Sequence, residues 1–134
     1  MRARRSITLG TAPYKETPGK ESLVFIGVRV LEYADSSLSD MPLDQYVEMA
    51  LQPDQKLSGK INPLTSNGWN GVHYTVEEAT PDPADGNVYS FIGLVWLDKN
   101  RILEFFATTL PKDDFSIYAL TFEFAFTSLK LSRP

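Results

Sequence analysis

Cysteine is absent from the sequence and histidine occurs once, at His73, and these two gaps exclude most familiar catalytic classes. Without cysteine there is no disulfide, no thiolate nucleophile and no cysteine-ligated zinc or iron–sulfur site. A Ser-His-Asp triad would need His73 as its base, and the Gly-x-Ser-x-Gly turn of many such hydrolases is also missing. No glycine-rich phosphate loop, dinucleotide fingerprint or EF-hand loop is present. We therefore expect a protein that is not an enzyme and that carries no cofactor and no metal.

Positive charge is scarce outside the first five residues. Of the 13 Lys and Arg residues, three lie at Arg2, Arg4 and Arg5, which leaves 10 against 17 acidic residues in the rest of the chain. Nucleic-acid binding needs clustered positive charge to neutralise phosphates, so the acidic body argues against a nucleic-acid partner. We expect the partner to be another protein, and the sequence leaves the oligomeric state open.

Long apolar runs are missing as well. A membrane-spanning helix needs about 20 predominantly apolar residues, and no stretch of the sequence approaches that length. The arginine-rich start is not followed by the apolar segment of a signal peptide. We expect a soluble protein with no membrane span, located either in the cytoplasm or, as the mature part of an exported protein, in a bacterial envelope or a lumen.

One strongly apolar segment, residues 88–110, is predicted to form a β-hairpin at the centre of the fold. Its turn is predicted at residues 98–100, with Asn100 in the left-handed conformation that asparagine tolerates. This turn predicts three opposed pairs: Leu97 with Arg101, Val95 with Leu103, and Gly93 with Phe105. Gly93 should leave room for the Phe105 ring to lie across the strand.

Both faces of this hairpin are apolar. One face carries Phe91, Val95, Leu97, Leu103 and Phe105, and the other carries Ile92, Leu94, Trp96, Ile102 and Phe106. Strands that are apolar on both sides are normally covered on both sides. We therefore expect other elements to pack above and below the hairpin.

Further strand and helix patterns flank the hairpin. Strands are predicted at residues 23–33 and 72–77. A first helix should follow Ser39 or Asp40, with Leu43, Tyr46, Val47 and Ala50 on its buried side. A second should begin at Asp113, because apolar residues recur at helical spacing, namely Phe115, Tyr118, Ala119, Phe122, Phe126 and Leu129. Residues 122–126 also fit a strand, and the longer pattern favours the helix.

Stretches rich in Gly, Pro, Asn and Ser are predicted as loops. Residues 1–21 are interpreted as an N-terminal tail and loop with a short strand at 7–9. Residues 54–70 are interpreted as a loop with one short edge strand near 60–64, and Asn70-Gly71 as a turn. The remaining residues, 22–134, are expected to form a single α+β domain.

The order of strand, helix, four-stranded meander and helix predicts an α/β/α sandwich, with a central antiparallel sheet of about five to six strands and helices on both faces. This order resembles the Mog1/PsbP-like family, which includes PsbP, Mog1 and DcrB-type proteins. The resemblance is carried by residues 24–31 ahead of the helix at 42–46, then by 72–76 and 93–108, and it covers roughly residues 22–131. The start lacks the aromatic strand and Pro-x-x-Trp-like segment common in the family, so no site near that end is carried over.

The resemblance implies a non-enzymatic accessory or protein-binding domain, because members mostly bind other proteins and share no catalytic centre. Two alternatives stay open. One is a chaperone that shelters apolar client segments on an exposed groove of the sheet. The other is a small-ligand or enzymatic pocket between sheet and helix, with Glu104 and His73 as its polar groups. Glu104, predicted opposite Leu94, either marks the end of the helix cover or lines a small cleft.

The predicted binding residues flank the strand at 72–77, and they are Trp69, Asn70, His73, Asp82 and Asp85. Trp69 on an exposed turn would anchor a partner with a large rigid surface, or else it covers the edge of the core. His73 either joins the site or lies on the solvent-facing side of an amphipathic strand. The loop with Asp82 and Asp85 is either simply solvated or contacts calcium or a basic partner.

Overall fold

The computed structural model describes residues 3–17, 20–33, 41–66, 69–79, 87–110 and 115–129, which form a six-stranded antiparallel sheet and two helices. The strands are β1 (Ala3–Thr17), β2 (Lys20–Tyr33), β3 (Gln55–Ser66), β4 (Trp69–Ala79), β5 (Asn87–Asp98) and β6 (Arg101–Leu110). The helices are α1 (Leu43–Ala50) and α2 (Phe115–Thr127). Across the sheet the order is β1-β2-β6-β5-β4-β3, so the predicted hairpin does lie at its centre and the fold is α+β.

The register of the β5–β6 hairpin was predicted correctly except next to its turn. Val95 lies opposite Leu103 and Gly93 opposite Phe105, as expected. The predicted pair of Leu97 with Arg101 is wrong, because Asp98 pairs with Arg101 and the register shifts between Trp96 and Asp98. The Asp98 carboxylate accepts a hydrogen bond from Arg101 Nε at 2.7 Å and one from the Asn100 backbone N–H at 3.2 Å. Asp98 thus belongs to β5, and the loop consists of two residues, Lys99 and Asn100.

Side chains that alternate along β5 belong to two separate apolar clusters. Leu94, Ile92 and Trp96 pack in the cluster that contains the buried α1 residues Leu43, Tyr46 and Val47. Phe91 and Val95 pack in the cluster that contains the α2 residues Phe115, Phe122 and Phe126. The predicted division of the hairpin into two apolar sets is therefore confirmed, and so is the choice of helix over strand for residues 122–126.

The space above Gly93 is filled by a different ring from the one predicted. A methyl group at Gly93 would lie 2.5 Å from Cδ1 and 2.7 Å from Cγ of Phe126. The expectation that Phe105 occupies this space is wrong, because α2 places Phe126 there, in contact with both the Phe91 and the Phe105 rings. The glycine thus lets α2 approach the sheet closely.

Helix α1 begins one residue after Pro42, whose extended backbone occupies the N-cap position. Ser39 and Asp40, predicted to cap it, lie outside the described residues, as does Asp113 ahead of α2. Leu43, Tyr46 and Val47 are buried as expected, whereas Ala50 is exposed because the helix ends there. Neither α1 nor α2 is long and apolar enough to span a membrane, and no other helix occurs among the described residues.

Both edge strands are much longer than the short strands expected at 7–9 and near 60–64, and most of each was interpreted as loop. β1 runs alongside β2 from Ala3 to Thr17, so the tail and loop expected at 1–21 are wrong for residues 3–17, which belong to the common sheet. β3 occupies most of the loop expected at 54–70. An edge strand tolerates proline and irregular backbone because one of its sides needs no strand partner. Pro13, Pro63 and Gly59 (φ 90°) are accommodated in this way.

The turn predicted at Asn70-Gly71 is also wrong, since both residues lie inside β4. Gly71 is opposite Leu64 of β3 and Val95 of β5. A methyl group there would lie 2.5 Å from the Leu94 carbonyl oxygen. This glycine therefore serves a close approach of two strands and does not mark a change of direction.

Candidate functional site

A cavity of about 390 Å³ lies on the α1 side of the sheet, beside the C-terminal end of the helix. α1 has only eight residues, and its last residue, Ala50, lines the cavity. The cavity is lined by Arg29, Ala50, Leu51, Gln52, Gln55, Tyr74, Val76, Ser90, Ile92, Glu104 and Phe106. Its lining therefore combines five apolar residues with six polar or charged ones. A concave space in which apolar walls meet convergent polar groups is a candidate ligand site.

Arg29 and Glu104 form the polar centre of this cavity. They lie directly opposite each other on β2 and β6, and Arg29 Nε donates to Glu104 Oε1 at 2.6 Å. Glu104 also lies opposite Leu94 on β5, as predicted. Its side chain is only 16% exposed, whereas that of Arg29 is 40% exposed. Glu104 lines this cleft, which is the second of the two predicted alternatives.

The charges of this pair influence each other and the nearby tyrosines. Burial alone would lower the pKa of Arg29, but the hydrogen bond to Glu104 and its negative charge outweigh burial and raise that pKa. Burial raises the pKa of Tyr74, and the Glu104 charge adds to this effect. The cavity therefore contains one cation, one anion and a phenol that stays protonated.

A buried pair of tyrosines lies near Arg29. The hydroxyls of Tyr33 and Tyr46 are hydrogen-bonded to each other, and their rings meet edge to face with centroids 6.0 Å apart. Burial and this hydrogen bond raise the pKa of Tyr46. The pair fastens α1 to the end of β2 and so fixes the helix that forms one wall of the cleft.

The His73 side chain does not face solvent, so the expectation that it lies on the solvent-facing side of an amphipathic strand is wrong. Its ring stacks on Phe91 with centroids 5.6 Å apart and meets the edge of Phe126 at 6.2 Å. Its Nε2 lies 3.8 Å from Glu123 Oε1 on α2. His73 therefore lies on the opposite side of the sheet from Glu104, and the two residues cannot share one pocket.

The remaining predicted site residues are divided between the two sides of the sheet. Trp69 is partly buried against the cluster under α2, on the same side as His73. Asn70 is exposed and lines a separate cavity of about 470 Å³ on the α1 side. Asp82 and Asp85 lie outside the described residues. The structure thus brings Trp69 and His73 to one side and separates Asn70 from them.

Arg29 was missed in the sequence, although a signal existed. Arg29 interrupts an otherwise apolar side of β2 and Glu104 interrupts one of β6. Two isolated opposite charges on apolar strands favour a direct cross-strand pair. Recognising it required knowing that β2 and β6 are neighbours, which no local pattern shows.

A second missed feature is the outer side of α2. Ile117, Leu120 and Phe124 are 62%, 79% and 73% exposed, and their spacing of three and four residues places them on one stripe, called here the α2 stripe. Glu123 is the one charged residue between Phe115 and Thr127. α2 is thus apolar on its outer side as well as on the side that packs on the sheet, which is unusual for a surface helix.

Metal-binding chemistry finds no support in the described part of the chain, where no group of three or more His, Asp or Glu residues could hold an ion. His73, the single histidine, is engaged by Phe91, Phe126 and Glu123.

Comparison with known proteins gives a fold relationship. No family model matches the chain, and no curated protein matches it. Among solved structures it is similar to the crystal structure of PA94 from Pseudomonas aeruginosa, a protein of unknown function. The similarity has a TM-score of 0.63 at 15% identity and covers 98% of this chain and 86% of that one. At this identity the similarity concerns the fold alone.

Proposed function

We propose that this chain is a non-enzymatic accessory or protein-binding domain of the Mog1/PsbP/DcrB type, built as an α/β/α sandwich with one helix on each side of the sheet. The observation that carries the proposal is the α2 stripe, in which three large apolar side chains are at least 62% exposed. Contiguous exposed apolar surface on a folded protein commonly marks an interaction site. The two separate apolar clusters, each with its own helix, support the sandwich arrangement.

The chemistry of the α2 stripe indicates what kind of partner it suits. Glu123 is the one charged residue of α2, so charge contributes little to recognition by this surface. Phe124 and Leu120 can fill pockets in an apolar groove or pack against an apolar helix. The partner is therefore a protein with an apolar concave surface or an apolar helix face.

The experiment is site-specific photocrosslinking in native cells, followed by mass spectrometry. A photoreactive phenylalanine at Leu120 should give a specific adduct, and Leu120→Glu or Phe124→Glu should abolish co-purification of the same protein. Met49 is the matched control, because it is an exposed apolar residue (51%) on the other helix. A crosslinker at Met49 should not give that adduct.

Two outcomes would overturn the proposal. One is equal crosslinking at Leu120 and Met49, which would indicate non-specific capture. The other is an adduct that contains only a second copy of this chain, because the α2 stripe would then serve self-association.

A chaperone that shelters apolar client segments is an alternative, and the α2 stripe is also the observation that favours it. This alternative predicts that the native protein binds an apolar dye and that Phe124→Glu removes the signal. It also predicts that the protein keeps a separately prepared apolar peptide in solution. Dye binding without protection of the peptide would speak against a chaperone.

A small-ligand pocket is a second alternative, favoured by the 390 Å³ cavity around Arg29 and Glu104. His73 has no part in it, since the ring lies on the other side of the sheet. The predicted binding role of Trp69, Asn70, Asp82 and Asp85 stays a prediction for any of these functions.

A further inference from the structure

The cavity beside α1 has the size and composition of a small-molecule site. Its volume of about 390 Å³ lies within the range of roughly 300–1,000 Å³ typical of ligand pockets. Ile92 and Phe106 supply apolar wall, while Arg29, Glu104 and Tyr74 supply polar groups. A ligand that fills it must therefore combine an apolar group with a compact polar one.

The charge arrangement restricts the polar group. Arg29 and Glu104 are held together at 2.6 Å, so the centre of the cavity has no net charge. A carboxylate that approaches Arg29 is repelled by Glu104, and an ammonium that approaches Glu104 is repelled by Arg29. Either charged ligand would bring a third charge next to a pair that is already neutralised, so the repulsion offsets the attraction.

A carboxamide matches this pair without separating it. Its carbonyl oxygen accepts a hydrogen bond from the guanidinium, which has five N–H donors, and its N–H donates to the carboxylate, which has several acceptor positions. The Tyr74 hydroxyl offers one further polar contact. The donor and acceptor of an amide lie side by side, as do the acceptor and donor that Glu104 and Arg29 present.

We propose that this cavity binds an uncharged ligand that carries a carboxamide next to an aromatic or branched apolar group. The amide lies between Arg29 and Glu104, and the apolar group packs against Ile92 and Phe106. This inference deepens the small-ligand alternative and rests on it. It does not depend on the α2 stripe, so failed crosslinking at Leu120 would leave it intact.

The test is an NMR titration of the full chain with three probes of one shape and different charge. They are N-acetyl-phenylalaninamide (neutral), N-acetyl-phenylalanine (anionic) and phenylalaninamide (cationic). We expect the neutral probe to shift the backbone amides of Arg29, Ile92 and Glu104, and to bind at least about tenfold more tightly than either charged probe. Equal binding of the three probes, or no shift at these residues at the solubility limit, would overturn the proposal and leave Arg29–Glu104 as a structural ion pair only.

Variants provide a second, independent criterion. Glu104→Gln leaves the cation unpaired and should raise the affinity of the anionic probe relative to the neutral one by about tenfold. Arg29→Gln should raise the relative affinity of the cationic probe in the same way. The matched control is Asp98→Asn, which breaks an Arg–Asp pair of the same 2.6 Å length at the end of the hairpin. This control variant should bind the three probes in the same order of affinity as the wild type. Unchanged preference in both cavity variants, with circular dichroism showing a folded chain, would contradict the proposed role of the pair.

The source of the amide can be distinguished in the same experiment. A free small molecule and the amidated end of an apolar peptide present the same group. A hexapeptide that ends in phenylalaninamide should bind no more tightly than the short neutral probe if the natural ligand is small. Tighter binding, with additional shifts along α1, would assign the cavity to a peptide end.

Discussion

Gly93→Ala can stabilise or destabilise the protein, and which of the two it does depends directly on how α2 packs. In an open strand position this change should stabilise the protein by about 0.5–1 kcal/mol, because alanine loses less backbone entropy on folding. At Gly93 the new methyl group would instead lie 2.5 Å from Cδ1 of Phe126. That distance is well below ordinary van der Waals contact, so the ring or the helix must move.

The ring has little room to move. Phe126 is 1% exposed, and its centroid lies 6.0 Å from that of Phe91, 5.8 Å from that of Phe105 and 6.2 Å from that of His73. Overpacking of a filled core costs about 1–3 kcal/mol. This loss exceeds the entropic gain, so we expect a net destabilisation of about 1–2 kcal/mol.

A double-mutant cycle isolates the contact. Phe126→Ala alone should cost about 3–5 kcal/mol as a core deletion. Once the ring is gone, Gly93→Ala should become neutral or stabilising, which gives a coupling energy of about 1–3 kcal/mol between the two positions. The measurement is the urea midpoint of the four proteins at constant slope.

Gly59→Ala serves as the control. A methyl group there would meet no atom within 4 Å, but the backbone has φ of 90°. The substitution should therefore destabilise through backbone strain alone, by about 1–2 kcal/mol, and equally with or without Phe126. Two results would refute this account of α2 packing: stabilisation by Gly93→Ala in the wild type, or the same loss with and without the Phe126 ring.

Three further predictions test the orientation of α2 and the ionisable groups. Phe122→Ala, which removes a ring that is 1% exposed, should lower the free energy of unfolding by about 3–5 kcal/mol. Phe124→Ala should change it by less than about 0.5 kcal/mol. Equal urea midpoints for the two variants would contradict this orientation of α2. Burial and the hydrogen bond to Tyr33 raise the pKa of Tyr46. Above pH of about 10 the unfolded chain therefore loses a proton that the folded chain keeps, and the free energy of unfolding, constant below that pH, decreases above it. Tyr46→Phe should reduce this alkaline slope in unfolding curves at pH 9–11, and an unchanged slope would count against the assignment. The hydrogen bond from Arg101 lowers the pKa of Asp98, so its contribution is present above pH of about 4 and is lost as the pH falls further; thermal melts of Asp98→Asn should show a shallower acid decline, and an identical decline would exclude this contribution.

The parts of the fold that were predictable from sequence are those determined by local periodicity. The two apolar sides of β5 and β6 follow from alternation over 88–110, and their side chains do belong to two separate apolar clusters. The helical spacing from Phe115 onward correctly outweighed the strand-like stretch at 122–126. In both cases the pattern is long enough to exceed the effect of any single residue.

The errors arose where pairing or packing with another element determines the structure, whether that element is near or distant in the sequence. Pro13, Pro63 and Gly59 favour loops locally, yet pairing with β2 and β4 holds their segments as edge strands. The surroundings of His73 depend on the position of α2, which the β4 pattern does not contain. The same reasoning explains why Arg29 was missed beside Glu104, since only the pairing of β2 with β6 brings them together.

The pairing of β2 with β6 also has a consequence for the order of folding. Among the strand pairs that the structure describes, the others join neighbours in the chain, whereas Arg29 and Glu104 are 75 positions apart. Closing a loop of that length costs about 4 kcal/mol of chain entropy beyond a constant term, so the β3–β6 meander can form before β2 docks on it. The cavity around Arg29 and Glu104 spans this late junction. A ligand bound there would stabilise the paired state of β2 and β6 and so reduce the opening of the sheet at that pair. Hydrogen exchange of the backbone amides along β2 and β6 should then be slower.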